Sequence, residues 1–214
     1  VNGGEIDCLY GGGNEANDDY LTTININGGQ ITTLYGGGKE ASVGEVILNV
    51  ETGSITTLFG GGDQGDTLGD VTINVTNGTI ETFYSGANQA NITGNVTTKI
   101  DNGTIRDLFG GNNISGIIDG QVSVEINDGN ITNLYGGGNE ADGDYISTVT
   151  LNDGIVNVLY GGGKNADISK SIINIQGGVI NTNLYGGGFK GNIVDSSIEI
   201  TKGIIGNNVY GGGY

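Results

Sequence analysis

An aromatic residue followed by glycines returns nine times along the chain, at Tyr10, Tyr35, Phe59, Tyr84, Phe109, Tyr135, Tyr160, Tyr185 and Tyr210. The gaps are 25, 24, 25, 25, 26, 25, 25 and 25 residues. No other feature restricts the fold as much. A unit of about 25 residues is too short to enclose its own core, so such units must bury their apolar faces against one another.

Each unit has three parts. The first alternates strictly, as in Val71-Thr72-Ile73-Asn74-Val75-Thr76. Apolar residues on one face and polar ones on the other predict a half-buried strand. The second is a turn, often Asn-Gly or Asp-Gly: Asn77-Gly78, Asn102-Gly103, Asp128-Gly129, Asp153-Gly154. These pairs accept positive φ at little cost, and here they turn a corner between two faces of a coil. The third is Ile31-Thr32-Thr33-Leu34-Tyr35-Gly36-Gly37-Gly38 and its copies, in which Ile31 and Leu34 should point inward. Alternation after Leu34 favours an outward Tyr35, but the glycines that follow break the count and leave the side open. A short polar piece follows, usually ending in alanine (Ala16, Ala41, Ala90, Ala141, Ala166), which suits a tight inner corner. The copies ending at Tyr185 and Tyr210 carry one extra residue, most easily absorbed by a surface turn.

No helical spacing persists, and glycine interrupts every candidate helix. Propeller blades need roughly 40 to 50 residues, so this period is too short for one. The expectation is an all-β parallel β-solenoid of about nine coils, one repeat domain spanning residues 1–214. Coils would stack about 4.8 Å apart, giving a rod roughly 38 Å long.

Composition narrows the function. Gly is 45 of 214 residues, and Pro, His, Met and Trp are absent. Collagen needs proline and a glycine at every third position, so it is excluded. Net charge is −17, from 24 acids against 7 bases, which disfavours nucleic acid and anionic membranes. No apolar run approaches the ~18 residues of a membrane span. Cys8 is the sole cysteine, so no disulfide forms within the chain. A start at Val1 reads as a piece of a longer protein.

The unit Val-x-Ile-x-Val-x-Asn-Gly-x-Ile-x-x-Leu-Tyr-Gly-Gly-Gly resembles the Gly-rich right-handed β-helix repeats of large bacterial surface and secreted proteins. The resemblance covers the whole chain. It implies a surface or extracellular setting and an adhesin-like shaft. Some relatives bind acidic polysaccharides or calcium, and pectate lyases and polygalacturonases share the architecture.

Three features are candidates for chemistry. The first is the aromatic column. It would form a structural ladder or, at Tyr10, Tyr35, Tyr135, Tyr160 and Tyr185, a platform for sugar rings. Phe59 and Phe109 replace tyrosine freely, which favours the ladder.

The second is the acids. Fourteen of 24 fall between a glycine motif and the next strand. Eight of those lie in the first three such pieces: Glu15, Asp18, Asp19, Glu40, Glu45, Asp63, Asp66 and Asp70. Glu15 and Glu40 share a repeat position, so they should stand one coil apart and repel unless a cation or proton intervenes. Oxygen-only ligands suit Ca²⁺. Glu15, Glu40, Asp63 and Asp66 are therefore a candidate calcium site, and Glu140 and Asp142, with Asp144 and Asp167 nearby, a lesser one. The competing reading is solvation that keeps rods apart.

The third is Arg106, the only arginine, beside Asp101, Asp107 and Asp119. Those groups could serve a lyase, although an arginine on a repeat surface is more often an ion-pair partner. Without histidine, nucleophile–base pairs have little to work with. The glycine motifs lack the Gly-Lys-Ser/Thr of a phosphate loop. Recurring threonines (Thr32, Thr33, Thr56, Thr57, Thr132, Thr182) raise ice binding as a minor alternative, but Glu81, Arg106 and Asp107 interrupt those columns.

The sequence therefore points to a non-catalytic extracellular or cell-surface shaft or adhesive surface, stabilised by Ca²⁺. The expected partner is a polysaccharide or host-surface ligand, with end-to-end self-association at open coil edges. A carbohydrate-binding module and a β-helix polysaccharide lyase or hydrolase are the alternatives.

Overall fold

The computed structural model describes residues 1–17 and 19–214; Asp18, counted above among the acids, lies outside the described residues. The fold is an all-β parallel β-solenoid of about eight turns. Nine copies of the aromatic step bound those eight turns.

The alternating segments form one ladder. Val46, Val71, Val96 and Val122 pair in register from coil to coil, as do Val50, Val75, Ile100 and Ile126. Val71, Ile73 and Val75 are buried while Thr72 and Asn74 between them are half-buried. A second ladder joins Ile31, Ile55, Ile80, Ile105 and Ile131. A third row, one residue wide, links Val43, Thr67, Ile92 and Ile118. The inward residues of all three rows merge into a single column from Ile24 to Leu184. Each fully buried Ile, Val or Leu contributes about 1.5–3 kcal/mol, and no unit could collect that alone. Ile31 and Leu34 point inward as expected, at 2% and 0% exposure.

The corner after the alternating strand turns on glycine alone. Gly78 sits at φ 121° and Gly103 at 127°, and no other residue type adopts positive φ among the described residues. The preceding Asn or Asp does a different job. Asn102 Oδ1 accepts the Gly103 N–H at 2.8 Å, and Asp128 and Asp153 do the same for Gly129 and Gly154.

The triple glycines have a packing reason. A Cβ on Gly37 would lie 2.7 Å from the Gly62 nitrogen of the next coil. The alanine corner is equally tight, with Ala41 and Ala166 fully buried. The extra residue in the late coils falls between Val179–Ile180 and Leu184–Tyr185, which pair with Val156 and Leu159 on either side of it. The strand breaks there, and Thr182 Oγ1 donates to the Asn157 carbonyl at 2.6 Å.

Candidate functional site

The aromatic column forms a regular stack outside the Ile and Leu core. Successive rings from Tyr10 to Tyr210 stack with centroids 4.7–5.1 Å apart and planes within 14°. Tyr35 does face away from the Ile and Leu core, because Leu34 before it faces inward. It is nonetheless buried, within a second cluster of its own. Two rows enclose the rings. One is Thr33, Thr57, Thr82, Asp107 and Asn133, two positions before each aromatic. The other lies four positions after and holds Asp63, Asn88, Asn113 and Asn139, then Lys164 and Phe189. Val158 of the first row and Phe189 of the second pack on the rings.

Burial pushes the Tyr84 and Tyr160 hydroxyls up to about 12; Asp107 and Glu140 add to this at Tyr84, and neighbouring tyrosines at Tyr160. Tyr35 moves the same way, from burial first and Asp63 second. At Tyr35, Tyr135, Tyr160 and Tyr185 both ring faces are covered by adjacent rings. A sugar laid flat would find no free face there. Tyr10 differs: it is half-buried and has a single stacked neighbour.

The acids expected to gather around calcium are spread over three rows. Glu15 and Glu40 share a row as anticipated, but its next members are Gln64 and Gln89, and Glu140 stands far along it. Asp63 lies in the row beside the rings, after Asn14 and Lys39, and Asn88 Nδ2 donates to its Oδ1 at 2.6 Å. Asn113 donates to Asn88 and Asn139 to Asn113, at 2.8 and 3.0 Å, which makes a continuous amide ladder. Asp66 lies in a third row, where it accepts the Asn91 backbone N–H at 2.8 Å. Asp142 belongs to that same row and accepts the Asp167 N–H at 2.8 Å. Among the described residues no group of three or more carboxylates or other ligands is placed to hold a metal ion.

This third row is a structural device. Asn17, Asp66, Asn91, Asp142 and Asp167 each accept a backbone N–H from the coil that follows. Asp70 and Asn95 repeat the arrangement four residues on. The short polar pieces lack a regular ladder, and these side chains satisfy N–H groups that would otherwise go unpaired. The free interchange of Asn and Asp at one repeat position was the signal available in the sequence, because both offer the same oxygen.

The corner that carries these rows is the acidic edge of the molecule. Asp119, Asp142, Asp144 and Asp167 surround an open depression of about 550 Å³, together with Ile117 and Val194. Val194 is 88% exposed. A second depression of about 460 Å³ on the same corner holds Asp19, Leu21, Glu45 and Leu68. Acids beside exposed aliphatic side chains suit a cationic partner with an apolar component. Arg106, by contrast, pairs with Glu81 at 2.7 Å and Asp107 at 3.1 Å, as a surface ion-pair residue does. Thr32 and Thr56 are exposed, whereas Thr33 and Thr57 are half-buried; Glu81 and Arg106 interrupt the exposed row. A scan against protein-family models matches none, and searches of curated proteins and of solved structures return no significant similarity.

Proposed function

We propose that the chain is a non-catalytic, cell-surface or extracellular shaft whose acidic corner serves as an adhesive surface. One observation carries the reading: each coil is tied to the next in register by several independent ladders. Backbone pairing, stacked rings and the Asp63–Asn139 amide ladder all run parallel to the axis. Such redundancy resists bending and shear, because any displacement must break all the ladders together. An enzyme has no need of that regularity over its whole length.

Divalent cations enter the proposal as counterions of the acidic corner, with Ca²⁺ first because the ligands are all oxygen. A polysaccharide or host-surface ligand is the expected partner. If the ligand is a carbohydrate, it meets the polar strand faces or the corner depressions, since the rings offer their faces to one another.

The test is affinity electrophoresis through gels cast with a panel of cationic, neutral and acidic polysaccharides, with and without Ca²⁺, and with the gel contents analysed for cleavage products. Retardation without products supports an adhesive surface. Free migration supports a plain shaft. Product formation abolishes the reading and makes the chain a polysaccharide lyase or hydrolase.

A further inference from the structure

The two phenylalanine coils of the ring column are also the ones that carry an acid beside the rings. Of the nine stacked rings, Phe59 and Phe109 lack a hydroxyl. In the two rows that flank the rings, the only acids are Asp63, four residues after Phe59, and Asp107, two before Phe109. Each tyrosine of the column therefore meets the next after one stacking step or, across a phenylalanine, after two. Those paired steps are 4.7 and 4.9 Å at Phe59, and 4.8 and 4.9 Å at Phe109. After burial, the Asp63 charge helps Tyr35 keep its phenol proton, and the Asp107 charge does so for Tyr84 and Tyr135, on either side of Phe109. Both carboxylates are fixed in place. Asp63 accepts from Asn88 at 2.6 Å, and Asp107 from Asn133 at 2.7 Å and pairs with Arg106 at 3.1 Å. The chain holds no Trp, Met or His, so its tyrosines and Cys8 are the side chains that lose an electron most readily. Face-to-face rings overlap their π orbitals, and electron transfer weakens steeply with distance, so steps this short favour passage along the stack.

We infer that the ring column is a relay for one-electron oxidation, in which a radical formed on one tyrosine travels along the stack. The co-reactant is a one-electron oxidant of higher potential than a phenol, such as a peroxyl radical or a high-valent metal complex. It takes one electron from a tyrosine and is itself reduced. The phenolic O–H bond breaks, its proton passes to a nearby carboxylate or to water, and a neutral phenoxyl radical remains. Between adjacent tyrosines, as from Tyr135 to Tyr160 to Tyr185, the next phenol gives an electron and a proton to the phenoxyl before it, and the two exchange roles. Phenylalanine has no O–H to give, so at Phe59 and Phe109 the electron crosses two steps and the proton needs another carrier. Asp63 and Asp107 stand at those two points. On oxidation Tyr35 yields its proton to Asp63. When Tyr84 supplies the missing electron, Asp63 returns that proton and Tyr84 gives its own to Asp107. In the next hop Asp107 returns it to Tyr84 and accepts that of Tyr135. The net change is one oxidant reduced, one tyrosine oxidised and one proton released.

Cys8 provides the point of entry. It is exposed, it is the sole cysteine, and it lies in the flanking row beside Tyr10. A ruthenium polypyridyl photo-oxidant is attached there as a thioether, with a cobalt(III) ammine as sacrificial electron acceptor, so that a flash starts the radical at Tyr10. An aminotyrosine in place of Tyr185, more easily oxidised than tyrosine, traps the radical, which is read by electron paramagnetic resonance and transient absorbance. The aminotyrosyl radical should form with a yield independent of protein concentration. Tyr84→Phe keeps the stack, since Phe59 and Phe109 already stack in place, but leaves three phenylalanines between Tyr35 and Tyr135. That variant should melt with the parent and lose the trapped radical. Asp107→Asn should delay the radical's arrival. No aminotyrosyl radical in the parent column, or an equal yield in Tyr84→Phe, would overturn the relay. An unchanged arrival time in Asp107→Asn would remove the carboxylate from it.

Discussion

Thr98 Oγ1 donates to Ser85 Oγ at 2.7 Å, and both side chains are fully buried. Each is a departure from the repeat. Ser85 stands where other coils have the first glycine of the motif, and Thr98 where they have an aliphatic core residue. In the coil before, a Cβ on Gly60 would come within 2.6 Å of the Ile73 side chain. The shorter threonine makes room for the serine, and the serine satisfies the threonine.

The pair should therefore behave as one unit. Thr98→Ile alone crowds Ser85 and strands its hydroxyl; Ser85→Gly alone strands that of Thr98. A stranded buried hydroxyl costs about 1–3 kcal/mol. The double variant restores the arrangement of the other coils and should regain most of the loss. A coupling energy of roughly 0.5–3 kcal/mol is expected from a double-mutant cycle in denaturant. Additive single effects would show that the two sites are independent.

The ring ladder makes a second expectation. Tyr135→Phe should be nearly neutral, since Phe59 and Phe109 already stack in place. Tyr135→Ala opens a gap between Phe109 and Tyr160 and should cost roughly 3 to 5 kcal/mol, as buried aromatic truncations do. Thermal melts of the two variants decide it; equal losses would mean that the hydroxyl matters more than the stacking.

Alkaline pH should unfold the protein through the same ladder. The tyrosines are held protonated when folded, with Tyr84 and Tyr160 at about 12 against an ordinary value of 10.0. A raised acid pKa means that the folded state binds more protons than the unfolded state once pH passes about 10. That stability is fully present below pH ~10 and is lost as pH rises toward 12. Tyrosinate absorbance should therefore lag in the folded protein and appear together with loss of the β-sheet circular dichroism signal. Tyr84→Phe should move the alkaline midpoint upward. Early ionisation with the fold intact would contradict the burial of the rings.

Calcium is the fourth test. Asp66 and Asp142 accept backbone N–H groups, and Asp63 an asparagine amide. Calorimetry on chelator-stripped protein should show binding no tighter than about 10⁻⁴ M, the range of loosely built sites. Asp66→Asn should leave the melting point nearly unchanged, because Asn91 performs the same task one coil later, whereas Asp66→Ala should lower it by the equivalent of about 1 kcal/mol. Micromolar binding abolished by Asp66→Asn would restore the calcium site.

The period, the strand alternation and the inward residues were legible because they follow from local geometry. A two-residue alternation fixes which side chains share a face, and a constant period near 25 residues leaves stacking as the way to bury them. The sequence by itself thus determined the solenoid and the place of Ile31 and Leu34. Only the tertiary structure decided what each outward residue meets, since that depends on the coils above and below and on the rows to either side. The side that Tyr35 takes was open in the sequence, because glycines break the alternation after it; the structure turns it away from the Ile and Leu core and buries it in a cluster of its own. Asp63 and Asp66 are three residues apart in the chain and belong to different rows. The exchange of hydroxyls between Ser85 and Thr98 spans two faces of one coil. Periodicity orders the chain along the axis, and contacts around the circumference are set by how the corners fold back.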